Sequence, residues 1–544
     1  MNRLRRALVD GYRSYYPVLF AVFSVLSLYQ VNVEDVPASD VVRPLLLATI
    51  LAGLIGWIFR RLIRQSDRAG LLAAGTLFVF FSYGRIFDAI QGGAFAGISL
   101  GHHRYLILAM GMAWIAWSIW VGWLLKQPAI YGRAVRVFVS IAVLLPLTSL
   151  GYRSVQAMVW RAKSPVDPGV PIQSSQGSSP SELPDIYYLI LDGYGRADVL
   201  DQYYQVDNSP FIQWLETHDF YIAAGATSNY NQTVLSLASS LNLAYLDDFD
   251  EVVGSRPANR AQLADRLKHN QLRAFLQDLG YRVVAFETGY SQTEVSDADY
   301  FWAPEAVGGS YPILGGHLTR FESLLLDATV FRAALDLDLL RRQLAAFDPG
   351  QSLYQEQRVR IQYTFDSLGR AAAIDGPTLV FAHVIAPHPP FVFGADGQPL
   401  RVKGAFSLAD ADAFGGGAEA YVAGYRDQLK YVNQLTERAI EQIMARSDHP
   451  PLILIQGDHG PGAHMVWDSA ERSLVEERFS ILSAYYFPDH NYGDLYPTIS
   501  PVNSFRIVLD DFFGANLPLV PDRSYFATWD QPLDFTEVTE RVRP

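Results

Sequence analysis

Five apolar stretches in the first 150 residues constrain the fold of this 544-residue chain more than any other feature. They occupy residues 17–33, 44–59, 70–87, 105–125 and 135–150. Each is close to the roughly 20 residues that a helix needs to cross a bilayer core. A cleaved signal peptide would explain only one of them, and five such runs with aromatic ends rarely follow one another in soluble proteins. The sequence therefore predicts a transmembrane helical domain of about five helices, residues 1–160, in a lipid bilayer.

The charges between these stretches predict the orientation of the helices. Lys and Arg concentrate on the cytoplasmic side of membrane proteins. The cationic segments are the N-terminus and the second and fourth connections, with Arg3, Arg5, Arg6, Arg13, Arg60, Arg61, Arg64, Arg68, Lys126, Arg133 and Arg136. The first connection is acidic instead, and the third contains a single arginine, Arg104. We therefore expect a multi-pass protein of the cell membrane with a cytoplasmic N-terminus and an extracytoplasmic C-terminal domain.

The character of the sequence changes after the apolar region. Residues 161–184 are predicted to be a linker, because residues 164–184 are rich in Pro, Ser and Gly. From residue 185 to residue 544, apolar β-branched runs alternate with helical patterns. The runs at 186–192, 282–286, 378–384 and 452–456 are typical of strands buried on both faces, and helical patterns cover residues 262–279, 355–373 and 419–444. This alternation predicts an α/β domain with a largely parallel sheet sandwiched by helices.

The composition of the chain excludes several classes of function. The net charge is −13, so we expect no nucleic-acid partner. The chain has no cysteine, which excludes disulfides, thiolate metal sites and a cysteine nucleophile. Charged residues make up only 18% of the chain and are scarcest in its first third, as expected for a membrane domain joined to a soluble one.

Two acidic positions at strand ends are candidate metal ligands, since sites in α/β sheets form beyond the carboxyl ends of strands. Asp192 closes the first strand, although it could instead cap the turn before Gly193. Asp458 and His459 are adjacent in a glycine-rich turn after the last strand. A carboxylate beside an imidazole suits zinc or manganese, and the glycines of this turn allow the backbone to approach an ion or ligand closely.

Two histidines lie at the end of the predicted strand at residues 378–384 and in the loop after it, which three prolines stiffen. His383 and His388 are five residues apart in a chain with only 11 histidines. They could act as metal ligands, acid–base groups or oxyanion donors. His383 could equally be a hydrogen-bonded histidine of the core.

Thr233 lies where a polar loop gives way to a helical pattern at residues 234–243. It could simply cap the helix. A hydroxyl at a helix N-terminus also lies in a positive potential that favours bound anions, and a neighbouring metal ion would lower its pKa and make it a nucleophile. Ser228, Ser236 and Ser239 are competing hydroxyls nearby.

Along the chain, these residues give a carboxylate after the first strand, a hydroxyl at a helix start, a paired-histidine loop and a final DHG turn. This order resembles the alkaline phosphatase/sulfatase superfamily. It is most similar to the membrane-anchored branch of lipoteichoic acid synthases and lipid A phosphoethanolamine transferases, which have about five membrane helices before an extracytoplasmic α/β domain. The resemblance covers nearly the whole chain and implies an alkaline phosphatase-like, sulfatase-like catalytic domain at residues 185–544.

The resemblance also implies a role for each matching residue. Asp192 stands where the family has an acidic metal ligand, and Asp458 with His459 matches the metal pair of the DHG motif. Thr233 matches the threonine nucleophile of the transferase branch and would also contact the metal ion.

The histidines have matches in the family as well, with some departures. His383 and His388 match two histidines that contact substrate or a second metal ion, and the resemblance pairs His464 with a further histidine that follows DHG. However, Pro461 replaces the usual Glu after DHG, and His464 comes sooner than in the phosphoethanolamine branch. Both departures weaken the case for a second metal ion. Formylglycine sulfatases need a Cys or Ser in a C/S-x-P-x-R setting, and Ser236 has neither the Pro nor the Arg.

The function implied is that of a metal-dependent hydrolase or transferase acting on phosphate (or sulfate) esters through Thr233, with phosphoryl transfer favoured. The implied cofactor is zinc or manganese, with calcium or magnesium as alternatives. The implied partners are the bilayer and a phospholipid or envelope-glycan substrate. A catalytically inactive membrane-tethered binding protein is an alternative. So is a transporter, although the apolar helices carry few interior charges beyond Arg85 and Asp88.

Overall fold

The computed structural model describes residues 15–33, 36, 38–90, 94–95, 98–99, 102–163, 172, 183–246, 260–305, 319–336, 349–402 and 406–542. The chain divides into two compact units. The first comprises Met1–Met158, Ser310–Leu353 and Gly404–Phe406, and the second comprises Val159–Gly309, Tyr354–Lys403 and Ser407–Pro544. The N-terminal arginines and most of the predicted linker lie outside the described residues, and the domain boundaries at 160 and 184 stay a prediction.

The α-helices of the described residues are listed here in chain order. They are α1 (Tyr16–Val31), α2 (Ser39–Leu62), α3 (Ser66–Ile90), α4 (His103–Ile119), α5 (Pro128–Lys163), α6 (Ala197–Tyr204), α7 (Ser209–Thr217), α8 (Thr233–Leu241), α9 (Arg260–Lys268), α10 (Gln271–Asp278), α11 (Arg320–Ala328), α12 (Phe331–Asp336), α13 (Pro349–Ser367), α14 (Gly417–Arg446), α15 (Val475–Phe479), α16 (Pro501–Phe513) and α17 (Thr539–Val542). A π-helical turn, Trp120–Leu124, continues α4, and 3₁₀ turns lie at Leu368–Ala373 and Ala411–Ala413.

The strands of the described residues are mostly short. They are β1 (Ala94–Phe95), β2 (Ile98–Ser99), β3 (Ile186–Leu191), β4 (Tyr221–Ile222), β5 (Arg282–Phe286), β6 (Tyr300–Trp302), β7 (Thr378–Val384), β8 (Leu452–Gln456), β9 (Ser483–Tyr486), β10 (Tyr525–Ala527) and β11 (Phe535–Glu537). β1 pairs with β2 and β10 with β11 as two-stranded antiparallel sheets, and the remaining seven form one sheet.

Apolar helices dominate the first unit, which confirms the prediction of about five. Four segments of the described chain are long and apolar enough to cross a membrane: Ser39–Leu62, Ser66–Ile90, His103–Leu124 and Pro128–Tyr152. α1 is apolar but shorter, with 16 residues. The second apolar stretch, predicted at residues 44–59, is part of the longer helix α2, which has 24 residues. Charged residues extend it at both ends: Asp40 lies in its first turn, and Arg60 and Arg61 lie in its last. These charges complement the helix dipole at each end.

The first unit also contains a segment from much later in the chain, which the sequence did not predict. Thr319 begins α11 with a capping box, in which its side chain accepts from the backbone N–H of Glu322 and the Glu322 carboxylate accepts from the backbone N–H of Thr319. Phe321 is fully buried in a cluster with residues of α1, α2 and α3. The Glu322 carboxylate pairs with Arg43 of α2. In α12, Arg332 pairs with Asp88 of α3 at 2.6 Å.

The second unit is built on the seven-stranded sheet, with the order β4-β9-β8-β3-β7-β5-β6. β3 pairs in parallel with both β7 and β8, β5 pairs in parallel with β7 and β6, and β9 runs antiparallel to both of its neighbours, β8 and β4. The four predicted strands are therefore the four adjacent strands β8, β3, β7 and β5, and the predicted largely parallel α/β sheet is confirmed. All six residues of β3 are buried, as expected when both faces of a parallel strand are covered.

One face of β3 shows how the helices hold the sheet. Ile186, Tyr188 and Ile190 share a buried cluster with apolar residues of α8, α9, α10 and α16. Alternation along the strand places these three side chains on one face. The helical pattern at residues 262–279 forms two helices, α9 and α10, because Asn270 interrupts it and caps α10 by accepting from the backbone N–H of Arg273.

Candidate active site

The carboxyl ends of three adjacent parallel strands bring the predicted residues together. Asp192 follows β3, His383 is the penultimate residue of β7, and Asp458 follows β8 by two residues. In the register of the sheet, Ile190 of β3 lies opposite both His383 of β7 and Gln456 of β8. The site therefore forms at the central strands, where parallel β-sheets place their ligands.

Asp192, Asp458 and His459 form a candidate metal site. Each offers one ligand atom, and these atoms all lie within 4.8 Å of one another. All three residues are buried. Oδ1 of Asp192 and Oδ2 of Asp458 accept no hydrogen bond in the described part of the chain. Buried carboxylate oxygens without partners are costly unless a cation binds them, so this donor set fits a divalent ion.

The hydrogen bonding of His459 fits the same conclusion. Its Nδ1 lies 2.9 Å from the carbonyl oxygen of Gly460, which can only accept, so Nδ1 carries the proton. Nε2 of the neutral ring then presents a lone pair, 3.3 Å from Oδ2 of Asp458 and 3.6 Å from Oδ1 of Asp192. Burial and the nearby Arg478 guanidinium lower the pKa of His459, so the ring stays neutral. Three acceptor atoms thus face one another with no proton between them.

The glycines of the DHG turn have a structural role that differs from the expected one. We predicted that they allow the backbone to approach an ion or ligand. A Cβ atom at Gly457 would instead collide with the carbonyl oxygen of Tyr194, and one at Gly460 with that of Glu477. The glycines therefore allow close approach between segments of backbone, which fixes the turn that carries Asp458 and His459.

Thr233 reaches this site from the start of α8. It is the first residue of the helix, and Gln232 is the N-cap, without a side-chain capping bond. The Thr233 hydroxyl lies 3.1 Å from Nε2 of His459. Thr233 is only half-buried, whereas every other residue of α8 is buried. The hydroxyl is therefore directed at the candidate metal site and is not used as a helix cap.

The competing serines are placed differently. Ser228, Ser236 and Ser239 are all fully buried or nearly so. The Ser239 hydroxyl donates to the carbonyl oxygen of Ala244. In the part of the chain that the structure describes, the hydroxyls of Ser228 and Ser236 have no hydrogen-bond partner.

The two histidines of the proline loop lie on the other side of Asp192. Nε2 of His383 is 3.3 Å from Oδ2 of Asp192, and its Nδ1 is 3.0 Å from the hydroxyl of Thr293. The backbone N–H of His388 donates to the carbonyl oxygen of Asp192, and its Nδ1–H donates to that of Pro389 at 2.5 Å. Nε2 of His388 is left pointing towards Asp410, 3.6 Å from its Oδ2.

Asp192 and His388 each favour the charged form of the other through their effects on its pKa. Burial lowers the pKa of His388, but the carboxylates of Asp192 and Asp410 outweigh burial and raise that pKa above its usual value. Burial works against ionisation of Asp192, yet the charge of His388 and the His383 ring, 3.3 Å from Oδ2, hold the pKa of this carboxyl well below its usual range. We therefore expect an ionised Asp192 beside a His388 that carries a proton more readily than a free imidazole.

His464 lies beside a different carboxylate. Its backbone N–H and its ring both bond to Glu477, the ring at 3.2 Å, and this hydrogen bond raises the pKa of His464. Its side chain is 43% exposed, whereas Asp192, Asp458 and His459 are buried. No contact between His464 and these three residues occurs among the described side chains.

Sequence reasoning missed two charged residues next to the site, Asp410 and Arg478. Nη1 of Arg478 donates to Oδ2 of Asp410 at 2.6 Å, and Nη2 lies 3.1 Å from Nε2 of His459. Burial raises the pKa of Asp410, but the Arg478 guanidinium, the nearby histidines and the hydrogen bond from Tyr421 together hold it well below its usual range. Asp410 precedes a 3₁₀ turn and Arg478 lies in the five-residue helix α15, so neither follows a strand nor belongs to a motif.

The chain is similar to a known protein family and to several solved structures. The sulfatase family model matches residues 184–498. No curated protein matches the chain. The chain is similar to the C-terminal periplasmic domain of EcEptC from Escherichia coli, with 10% identity, a TM-score of 0.41, and coverage of 69% of this chain and 97% of that one.

Two further solved structures are similar at a comparable level. Lipooligosaccharide phosphoethanolamine transferase A (EptA) from Neisseria meningitidis has 13% identity and a TM-score of 0.39, with coverage of 92% of this chain and 94% of that one. The 2-O GAG sulfatase BT1596 has 13% identity and a TM-score of 0.35, with coverage of 64% and 73%. Because the family model spans more than half of the chain, the predicted superfamily is confirmed, and the chain belongs to the sulfatase family.

Proposed function

We propose that this chain is a membrane-anchored, metal-dependent enzyme that transfers phosphoryl groups through a phospho-threonine intermediate on Thr233. One observation carries the proposal. The Thr233 hydroxyl lies 3.1 Å from Nε2 of His459, beside the carboxylate oxygens of Asp192 and Asp458 that lack hydrogen-bond partners. A hydroxyl held next to a cation site is the arrangement that activates a weak nucleophile.

In the proposed reaction, the Thr233 hydroxyl gives up its proton to water, and Oγ1 forms a bond to phosphorus while the bond from phosphorus to the leaving oxygen breaks. A divalent ion held by Asp192, Asp458 and His459 would neutralise the charge of the ester and lower the pKa of the threonine hydroxyl. We assign protonation of the leaving oxygen to His388, whose Nε2 faces Asp410 at 3.6 Å while its Nδ1–H is held by the carbonyl oxygen of Pro389. Water or an acceptor hydroxyl then attacks the phospho-threonine and restores the hydroxyl of Thr233.

The substrate we propose is a phosphoester of a lipid or envelope glycan. The catalytic unit and the apolar helices belong to the same chain, which supports a substrate at the membrane. Absence of cysteine, and of the Pro and Arg that a formylglycine site needs around Ser236, favours phosphate over sulfate esters. An acceptor hydroxyl on a sugar or lipid would make the enzyme a transferase.

The choice of ester can be measured directly on the full chain in detergent, loaded with zinc or manganese. We expect a higher kcat/KM for a nitrophenyl phosphodiester than for a nitrophenyl sulfate, because the site offers a threonine and no formylglycine precursor. The same assay after chelation serves as the control and should show no turnover. Faster cleavage of the sulfate ester would contradict phosphoryl transfer, and metal-independent turnover would contradict the metal role.

We also propose that the catalytic unit is extracytoplasmic. Residues 319–336 follow all five predicted crossings, and they bind the ends of two apolar helices. Glu322 pairs with Arg43 near the start of α2, and Arg332 pairs with Asp88 near the end of α3. Helices that alternate in direction from a cytoplasmic N-terminus would place both of these ends on the extracytoplasmic side, which supports the proposed orientation.

A reporter that is fluorescent only in the cytoplasm tests this orientation. Fused after Pro544, it should stay dark. The matched control is the same reporter fused after Gln65, between α2 and α3, where the predicted topology is cytoplasmic and fluorescence is expected. A bright fusion after Pro544 would overturn the orientation, as would a dark one after Gln65.

A further inference from the structure

The guanidinium of Arg478 is buried at the candidate metal site and held in one orientation. The residue is 2% exposed. Nε donates to the carbonyl oxygen of Asn231 at 2.9 Å, and Nη1 donates to Asp410 at 2.6 Å and to the carbonyl oxygen of Gly460 at 3.2 Å. The guanidinium also lies over the ring of Trp467, 5.3 Å from its centroid. Its remaining nitrogen, Nη2, is therefore aimed in a fixed direction.

Nη2 of Arg478 points towards Nε2 of His459, the same atom that the Thr233 hydroxyl approaches. Nη2 of Arg478 and the hydroxyl of Thr233 each lie 3.1 Å from Nε2 of His459. The neutral ring has a single lone pair at Nε2, so it cannot satisfy both donors fully. When His459 uses this lone pair to bind an ion, neither donor keeps it as an acceptor. Nη2 of Arg478 then presents N–H groups beside the threonine hydroxyl, and no other acceptor for them occurs among the residues that the structure describes.

An anionic oxygen would satisfy these groups. Buried N–H donors without acceptors are unfavourable, and the planar fork of a guanidinium matches the oxygens of a phosphate. We infer that Arg478 donates from Nη2 to a non-bridging oxygen of the phosphoryl group that Thr233 attacks. This inference rests on the proposed function and assigns the residue that binds the transferred group.

Asp410 fixes the position of this donor. It accepts from Arg478 and from the Tyr421 hydroxyl at 2.7 Å, and its Oδ2 lies 3.6 Å from Nε2 of His388. The carboxylate of Asp410 therefore lies between Arg478 and His388 and holds the guanidinium in place. A tetrahedral anion beside Nη2 would meet the positive charge of this guanidinium.

Arg478→Lys tests the inference, because lysine keeps the charge and loses the fork. We measure binding of inorganic phosphate by calorimetry on the metal-loaded full chain in detergent, together with its metal content. The variant should keep its metal ion and bind phosphate about 10- to 100-fold more weakly, the loss expected for a charge-assisted hydrogen bond. The matched control is Arg506→Lys. Arg506 is also buried, and within the described ranges its guanidinium bonds to the carbonyl oxygens of Leu243 and Pro518, so its replacement should leave phosphate binding unchanged.

Unchanged phosphate affinity in Arg478→Lys would overturn the inference, as would an equal loss in Arg506→Lys. If Arg478→Lys does not fold or loses its metal ion, a structure of the wild-type chain with bound tungstate decides. An oxygen of the anion within about 3.2 Å of Nη2 supports the inference, and an anion out of its reach overturns it. Binding is measured without turnover, so a chain that binds phosphate through Arg478 but cleaves no phosphodiester contradicts only the proposed function.

Discussion

Replacing Thr233 with alanine should lower phosphodiester turnover by about 10³-fold or more while the chain keeps its fold and its metal ion. The expected loss is large because the hydroxyl is the proposed nucleophile and lies 3.1 Å from Nε2 of His459. Stability should change little, because Thr233 makes no capping hydrogen bond and alanine is a good helix former. Turnover and thermal unfolding of the purified variant measure both effects.

Two further variants distinguish a nucleophilic role of the Thr233 hydroxyl from a purely structural role in α8. Thr233→Ser keeps a hydroxyl at the same position and should retain part of the turnover. Ser236→Ala removes a hydroxyl from the same helix, one turn further along, and should leave turnover near the wild-type level. Near-normal turnover in Thr233→Ala would exclude Thr233 as the nucleophile and leave a metal-bound water or Ser228 as the candidate.

Removing the charge of Asp458 should remove the metal ion and with it the activity. In Asp458→Asn and His459→Gln, metal content measured by mass spectrometry should fall from about one ion per chain to nearly none, since each variant removes one of the three ligands. Added zinc or manganese should raise the unfolding temperature of the wild-type chain and leave that of both variants unchanged, because a ligand stabilises only the state that binds it.

Asp468→Asn is the matched control for the loss of a carboxylate. The Asp468 side chain is 75% exposed and pairs with Arg472, so its replacement should affect neither metal content nor turnover. Full metal occupancy in the double variant Asp458→Ala, His459→Ala would contradict the assigned site.

The buried strands were the most predictable part of the fold. β5, β7 and β8 begin and end where the apolar runs do, because strands covered on both faces have continuous apolar sequences. The short strands β4 and β6 at the edges of the sheet, and β9 beside β4, span only two to four residues each and were not predicted. The packing of α11 against apolar helices was not predictable either, since an amphipathic pattern shows that a helix buries one face and does not show against what.

Some residues of the candidate site could also be predicted from the sequence, and others could not. Asp192 and Asp458 were predictable because they follow buried strands, and sheet topology then brings them together. Thr233 was predictable as the start of a helix, although the sequence alone could not separate a cap from a nucleophile. Asp410 and Arg478 carry no such signal, because only the tertiary fold places their loop and short helix at the ends of the strands.

The covalent intermediate is the most direct test of the account. The metal-loaded full chain is mixed with a nitrophenyl phosphodiester, quenched in acid and digested, and the peptide that contains Thr233 is analysed by mass spectrometry. We predict a mass increase of the transferred phosphoryl group with its remaining ester substituent, located on Thr233 by fragmentation and absent from Thr233→Ala. An adduct on another residue, or turnover by the wild-type chain with no adduct at any quench time, would contradict the central claim.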